Sequence, residues 1–348
     1  MKQIGFFDES KRLATLSKLG DRLEWLNKVM DWRIFEGALD RTRPDKTQGG
    51  QGGRPPYPNM MLFKVIILQA LYNISDAQME FQINDRLSWQ RFLGLSLGEK
   101  VPDENTIWLF REQLTNSGVY DELFELFNAR LLKIGVITRE GSIEDATFVD
   151  VPKQRNKKEE NEAIKANETP EGWEDEPDKL AQKDLDARWA KKGNETHFGY
   201  KNHIKIDKDS KIITAWRVTA ANVNDIEMML ALLDEHDRRL WADSGYAKEV
   251  LFELLQKMFP DLKELHINEK GKKNRPLTEE QKANNREKSR VRVRVEHVFG
   301  HMTTAMGGLT LRCIGIARAE SNIVLRNLAY NLSRYTTLRR LHRAPSLA

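Results

Sequence analysis

The hydrophobic pattern of this chain changes at Gly141, and the change sets the fold class. Before that point, apolar residues recur every three or four positions, which is typical of amphipathic helices. After it, residues 143–151 are rich in β-branched and aromatic side chains, and residues 197–207 alternate between apolar and polar side chains. The pattern therefore predicts an all-α region followed by an α/β region.

The α/β region is predicted to contain a mixed five-stranded sheet with flanking helices. Its elements follow the order strand, hairpin, helix, strand, helix, strand, helix. The predicted strands are residues 143–151, 197–207, 211–218, 240–243 and 264–269. The long hairpin strand is expected to be half-buried, with a basic outer face that consists of His197, Lys201, His203 and Lys205.

The region before Gly141 is predicted to consist of short helices. Ser75 is a suitable N-cap for a helix that begins at Asp76. A second helix over residues 104–114 would leave Arg111 exposed, together with Thr106 and Gln113, and this arrangement is compatible with a helix-turn-helix DNA reader. An ordinary helical bundle fits the same pattern.

Four segments are predicted along the chain. They are a helical lead with a Gly/Pro linker at 1–58, a helical DNA-binding domain at 59–136, the α/β domain at 137–334, and a basic tail at 335–348. The α/β domain contains a polar insert at 153–183, first basic and then strongly acidic. This insert has little apolar surface to bury and is expected to be mobile.

Composition excludes several classes of protein. The single Cys313 excludes an internal disulfide and a cysteine zinc site. The sequence contains no apolar run of about 18 residues and no leader pattern, so we expect a cytoplasmic protein without a membrane partner. The net charge is only +4, but acids concentrate between Glu159 and Asp178. The rest of the chain is more basic, which favours a polyanionic partner.

Isolated acids stand in apolar surroundings in this sequence. Asp145 lies in the first predicted strand, and Asp243 ends the fourth. An acid in an apolar strand is costly unless it is compensated, and a metal ion is a common compensation. His197 and His203 are also possible ligands, although imidazoles on an exposed strand are more often solvated or near phosphate.

Glu296 is the one acid in the basic segment SRVRVRVEHVFGHM, which enters an amphipathic helix after a predicted basic loop at 270–290. Val295 and Val298 flank it toward the interior. A surface ion pair with Arg292 at i, i+4, with a contribution of about 0.3 to 0.5 kcal/mol, is one interpretation. The other is that Glu296 converges with Asp145 and Asp243 on two divalent cations about 4 Å apart. Oxygen ligands with open water positions suit Mg²⁺ or Mn²⁺.

Several motifs, taken in order, resemble a known family. They are RPPYP, PDENTIWLFREQL, DATFVDVP, HFGYKNHIKID, TAANVND, ADSGY and RVRVEHVFG. Their order and spacing are similar to those of bacterial insertion-sequence transposases of family five, within the family four and five group of DDE transposases. The resemblance covers residues 54–334.

The resemblance implies a ribonuclease-H-like catalytic domain in which Asp145, Asp243 and Glu296 bind two Mg²⁺ ions, with Mn²⁺ as a substitute. It implies a helical N-terminal region that binds terminal inverted repeats, and a homodimer on double-stranded end and target DNA, with no nucleotide cofactor. Arg292 matches an arginine of the family motif, whereas Ser289 and Thr303 replace its tyrosine and lysine. The candidate DNA contacts are Arg54, Arg111, Lys201, His203, Lys288, Arg290, Arg292 and Arg294.

Two other functions remain open at this point. The chain could be a transposase-derived protein that binds specific DNA ends without cutting them, which the replaced lysine favours and the three acids oppose. It could also be a ribonuclease-H-like nuclease without strand transfer. The dedicated N-terminal helices argue against that function, because simple hydrolysis needs no recognition of specific ends.

Overall fold

The computed structural model describes residues 8–43, 56–243, 245, 249–271 and 276–347. The chain divides into two compact units, one of residues 1–136 with 328–348 and the other of residues 137–327. The first boundary lies close to Gly141, where the hydrophobic pattern changes. The four predicted segments remain a sequence hypothesis.

The first unit is helical. Its elements are α1 (Asp8–Lys18), α2 (Arg22–Val29), a 3-10 helix (Trp32–Phe35), α3 (Glu36–Thr42), α4 (Asn59–Tyr72), α5 (Asp76–Asp85), α6 (Leu87–Leu93), α7 (Glu104–Ser117) and α8 (Val119–Lys133). Ser75 caps α5 by accepting a hydrogen bond from the Gln78 amide, as predicted. In the core, the buried ring of Phe35 packs against the buried rings of both Phe63 and Phe127.

The second unit contains the sheet. Its elements are β1 (Ser142–Asp150), α9 (Lys158–Lys165), α10 (Pro177–Leu180), β2 (Arg188–Lys192), β3 (Glu195–Asp207), β4 (Ile213–Ala220), α11 (Asp225–Leu232), β5 (Arg239–Ala242), α12 (Glu249–Met258), β6 (Glu264–Ile267), α13 (Glu279–Thr304) and α14 (Ile316–Arg340). The first part of α14 belongs to this unit, and the rest belongs to the first unit.

Within the described residues the sheet has six strands, and it is mixed. The strands β1, β2 and β4 pair antiparallel with β3, whereas β5 and β6 run parallel to β1. The predicted α/β class is confirmed, and all five predicted strands are present. The number of strands was wrong because β2, with the sequence RWAKK, has no clear apolar alternation and was not predicted.

Gly199 allows the long strand β3 to lie close to β1. Its φ of +148° is one that side chains with a Cβ rarely adopt. A Cβ at this position would collide with the backbone carbonyl of Val149. The β1–β3 pairing therefore depends on a glycine at the point where β2 also ends its pairing with β3.

The prediction of a half-buried β3 with an exposed basic face was wrong. His203 and Lys205 are 1% and 2% exposed. The reason is α11, which packs against β1, β3 and β4 and covers the face that was expected to meet solvent. The alternation of one strand cannot show that a later helix covers its polar side.

The polar insert contains the short helices α9 and α10 in this structure. Trp173, which lies between the two helices in the sequence, is buried, and its ring nitrogen donates a hydrogen bond of 2.9 Å to Glu160. Lys179 and Lys183 lie over the same ring. The insert thus has its own small cluster, while its mobility stays a prediction.

Among the described residues, no single helix is long and apolar enough to cross a membrane. The helices α4 and α5 meet that criterion only when they are taken together, and they are bent by 103° relative to each other. Most of the apolar side chains of α4 are buried inside the first unit.

Candidate active site

Asp145 and Asp243 are neighbours across two parallel strands. The pairing of β1 with β5 sets Ser142 opposite Leu240 and Ile143 opposite Trp241. When this register is continued by two residues, Asp145 stands opposite Asp243, which directly follows β5. Adjacent strands are about 4.8 Å apart, and residues in register point to the same face. The fold therefore brings together two of the three predicted acids.

The third predicted acid, Glu296, lies on the long helix α13. The helix begins at Glu279, where Thr278 and Gln281 form a capping box. The prediction of a basic loop at 270–290 was therefore wrong from residue 279 onward, where the structure has a helix. The first turns of this helix are highly charged and have no apolar stripe, so the sequence pattern did not indicate a helix. Val295 and Val298 are fully buried, as predicted, and they leave the Glu296 side chain 51% exposed at the edge of the core.

Arg292 links the helix acid to the strand acid. Its Nη1 donates to Asp145 Oδ2 at 2.8 Å, and its Nη2 donates to Glu296 Oε1 at 2.7 Å. The Arg292 side chain is only 19% exposed. The i, i+4 ion pair expected as the simplest interpretation is present, and the same guanidinium also reaches the sheet. This second contact makes it more than a surface pair.

Burial dominates the electrostatics of Asp145 and raises the pKa of its carboxyl group. The Ala146 amide, which donates to Asp145 Oδ1 at 2.8 Å, and the charges of Arg292 and Lys192 lower the pKa and only partly offset burial. The charge of Asp243 raises the pKa further. Burial therefore disfavours the ionised carboxyl group of Asp145, and an additional cation beside it would favour that ionised form.

The chemistry of these donors fits a hard divalent cation. Three carboxylates supply oxygen ligands of the kind that Mg²⁺ and Mn²⁺ prefer. Glu296 Oε2 accepts no hydrogen bond from the described part of the chain and is free to act as a ligand. No group of three His, Cys, Asp or Glu side chains within the described ranges is close enough to hold a metal ion, however. In this structure Arg292, not a cation, joins Asp145 to Glu296.

The two histidines of the hairpin strand, His197 and His203, both contact side chains of neighbouring residues in the fold. His197 stacks on Phe148 at a ring distance of 4.1 Å, and its Nδ1 lies 3.2 Å from Asp150 Oδ1. His203 Nε2 is 2.8 Å from Thr219 Oγ1, and burial lowers the pKa of His203 to about 4. His203 is buried under α11 instead of exposed, and its contact with DNA stays a prediction that this burial does not support.

Two further candidate DNA contacts are engaged in internal ion pairs. Lys201 Nζ donates to the Val223 carbonyl at 2.7 Å and to Asp225 Oδ1 at 2.8 Å. Arg111 donates to both oxygens of Asp76, at 2.6 and 2.7 Å. The expected exposure of Arg111 was wrong, because this bidentate pair holds α7 against α5. Both cations are committed to structural partners.

The basic residues of α13 differ in their exposure and in their hydrogen bonds within the protein. Arg294 donates to the Lys208 carbonyl and to Asp209, and Lys288 donates to the Ile267 carbonyl at 2.9 Å. Arg290 is exposed. Arg54 lies outside the described residues, so its predicted role stays a prediction. At the two positions that depart from the family motif, Ser289 accepts a hydrogen bond from Asn268, and Thr303 donates to the Phe299 carbonyl.

Sequence reasoning missed Lys192, the last residue of β2, whose charge acts on Asp145. It also missed a buried polar network in which Lys205 Nζ donates to Asp234 and Asp237 at 3.0 and 2.5 Å. The basic run RWAKK before the long strand was the available signal for Lys192. No sequence signal distinguished Lys205 from the other polar residues of β3.

The sheet order, the flanking helices and the acids on the adjacent parallel strands β1 and β5, one within β1 and one directly after β5, define a ribonuclease-H-like α/β protein. Residues 138–332 match the family described as "Transposase DDE domain", and residues 11–113 match a family described as "Transposase domain". The chain therefore belongs to the DDE transposase family, which confirms the resemblance at that level. Its membership of insertion-sequence family five stays a prediction.

The chain is similar to a solved structure of a transposase, the cryo-EM structure of the piggyBac transposase synaptic complex with hairpin DNA. The TM-score is 0.44 at 10% sequence identity, and the match covers 93% of this chain and 75% of that one.

Proposed function

We propose that this transposase binds the terminal inverted repeats of an insertion sequence and catalyses metal-dependent strand cleavage and strand transfer. The observation that carries the proposal is the parallel pairing of β1 with β5, whose register, when it is continued, sets Asp145 opposite Asp243, together with the link from Asp145 to Glu296 through Arg292. A protein that only binds DNA has no need to gather three acids, because carboxylates repel phosphate.

Asp145, Asp243 and Glu296 would hold the divalent cations, which we propose to be two Mg²⁺ ions with Mn²⁺ as a substitute. Such ions stabilise the attacking and leaving oxygens of an in-line displacement at phosphorus. The chain itself supplies the positions of the acids. The β1–β5 register fixes two of them, and Val295 and Val298 in the core fix the side of α13 from which Glu296 projects.

The proposed partners are double-stranded end DNA and target DNA, bound by a homodimer. Arg290 is the proposed phosphate contact that is best supported, because it is exposed on the helix that carries Glu296. Because the genome is the substrate, we propose that the protein works in the bacterial cytoplasm, at the nucleoid when it is bound to DNA.

The test is cleavage of a labelled duplex that carries the terminal repeat, in Mg²⁺ or Mn²⁺ and in EDTA. We expect metal-dependent nicking at the repeat boundary by the wild type and none by Glu296→Ala. Glu287→Ala is the matched control, because Glu287 is an exposed acid on the same helix. Equal cleavage by Glu296→Ala and the wild type would exclude this assignment of the third acid.

A second function is favoured by one observation. The guanidinium of Arg292 forms an ion pair with one oxygen of Asp145 and with one oxygen of Glu296. The negative charge of these two acids is therefore already neutralised in part. A chain that kept this arrangement on DNA would bind ends without cutting them. Tight and specific binding of the repeat with no nicking in either metal would support this catalytically impaired form.

A further inference from the structure

Arg292 holds together two acids that come from different elements. Asp145 lies on β1 and Glu296 on α13, and no hydrogen bond between their own oxygens is possible when both are ionised. The two terminal nitrogens of one guanidinium each donate to one of these carboxylates, at 2.8 and 2.7 Å. The planar arginine fork suits this geometry, whereas the single ammonium of a lysine does not.

The surroundings make this bridge unlike an exposed ion pair. The side chains of Arg292 and Asp145 are 19% and 18% exposed. The Arg292 Nε is buried and has no hydrogen-bond partner among the described residues. The guanidinium therefore leaves its Nε–H buried without a partner while its two terminal nitrogens donate to carboxylates. Its position is set by the acids rather than by its own hydrogen-bonding needs.

We propose that Arg292 takes the place of a divalent cation between Asp145 and Glu296, and that the guanidinium and the cation exchange at this site. The inference rests on the proposed function for the assignment of the acids as cation ligands. A cation bound by both acids must replace two charge-assisted hydrogen bonds, so the two occupants compete for the same oxygens.

The charges of the site support the exchange. Three ionised carboxylates carry three negative charges, and Arg292 neutralises one of them. Without a cation and without Arg292, the acids would repel each other with less screening than at an exposed site. The arginine thus keeps the acids close in the metal-free protein.

The experiment measures Mn²⁺ binding to the full chain without DNA, by titration calorimetry. Arg292→Gln removes the bridge and is expected to bind Mn²⁺ about tenfold more tightly than the wild type. Arg292→Lys keeps the charge but cannot bridge both acids, so it should also bind more tightly than the wild type, although by less. Metal-free Arg292→Gln should melt at a lower temperature than the wild type, and Mn²⁺ should raise its melting temperature by more.

The matched control is Lys192→Gln. Lys192 is exposed, and its charge acts on Asp145, but within the described residues its side chain makes no hydrogen bond to any of the three acids. We expect its Mn²⁺ affinity to stay within about threefold of the wild-type value, because screened charges at a surface interact weakly. A tightening equal to that of Arg292→Gln would show a general field effect and would overturn the exchange.

A fourth variant, Asp145→Asn, separates the two proposals. If Asp145→Asn loses Mn²⁺ binding while both Arg292 variants bind like the wild type, the acids are ligands but the exchange is wrong. If Asp145→Asn binds Mn²⁺ like the wild type, the ligand assignment itself fails, and the exchange fails with it. Loss of binding in Asp145→Asn together with tighter binding in both Arg292 variants supports both proposals.

Discussion

Glu144 and Asp145 are consecutive acids of β1 that point to opposite faces of the sheet, and their surroundings differ in every respect. Glu144 is fully buried under α11, opposite Lys205, and neither of its oxygens has a hydrogen-bond partner within the described residues. Asp145 is partly open and is held by Arg292. We call the side under α11 the covered face, and the side on which α13 leaves Asp145 18% exposed the open face of the sheet.

The two faces handle negative charge in different ways. On the covered face, burial raises the pKa of Glu144 well above its usual range, because the opposing charge of Lys205 does not offset it and the charge of Asp237 raises the pKa further. Lys205 is left to balance Asp234 and Asp237. On the open face, Asp145 keeps a counter-ion. The difference teaches that an acid in a strand is compensated by protonation where water is excluded, and by a cation where ions can enter.

The largest expected effect concerns catalysis. Asp145→Asn should lower metal-dependent cleavage of the repeat duplex by about a thousandfold or more, because the ionised ligand is lost. Glu144→Gln should stay within about twofold of the wild type, since glutamine resembles the protonated form that the raised pKa of Glu144 favours and lies on the face away from the acids. Gel assays of both purified variants measure this. If Glu144→Gln folds but does not cleave the repeat duplex, the distinction between the two faces is wrong.

The second effect concerns stability. Lys205→Met should lower the free energy of unfolding by about 3 kcal/mol, because it leaves buried Asp237 without a counter-charge. Arg292→Met on the open face should lower it by about 1 kcal/mol, because water can reach Asp145 there. Urea unfolding followed by circular dichroism measures both. Equal losses would mean that the two faces are equally closed to water.

The smallest effect concerns pH. Burial lowers the pKa of His203 from 6.5 to about 4, so between these values the unfolded chain binds a proton that the folded chain does not. The corresponding stability is complete above pH 6.5 and is lost as the pH falls toward 4, by about 2 kcal/mol between pH 7 and pH 5. Between pH 7 and pH 5, the free energy of unfolding of His203→Gln should therefore fall by about 2 kcal/mol less than that of the wild type. Urea unfolding at each pH measures this difference. Parallel pH profiles for the two proteins would contradict a neutral His203.

Much of the fold was predictable because it depends on local patterns. The strand over 143–151 and the helix that starts after Ser75 follow from side-chain periodicity and capping, which act over a few residues. The burial of Val295 and Val298 follows from helical spacing. The start of α13 was missed for a related reason, since its charged first turns have no apolar stripe even though Thr278 and Gln281 cap it.

The sequence indicated which acids belong to the candidate site, but it did not indicate which side chains these acids and the nearby basic residues contact. Asp145, Asp243 and Glu296 stand out as acids in apolar or basic surroundings, and the family motifs point to them. Their status as catalytic ligands stays a prediction. The roles of Lys201, His203 and Arg111 could not be inferred, because each depends on a partner or cover contributed by a distant element.

The sequence by itself determined the change from helices to an α/β region, the DDE transposase family and the identity of the three acids. Only the tertiary structure decided which acids meet, that the β1–β5 register sets Asp145 beside Asp243, and that Arg292 spans two elements. The physical reason is that periodicity reports which side of an element is apolar. Strand register and helix placement determine which charge lies opposite which, and these depend on contacts between residues far apart in the chain.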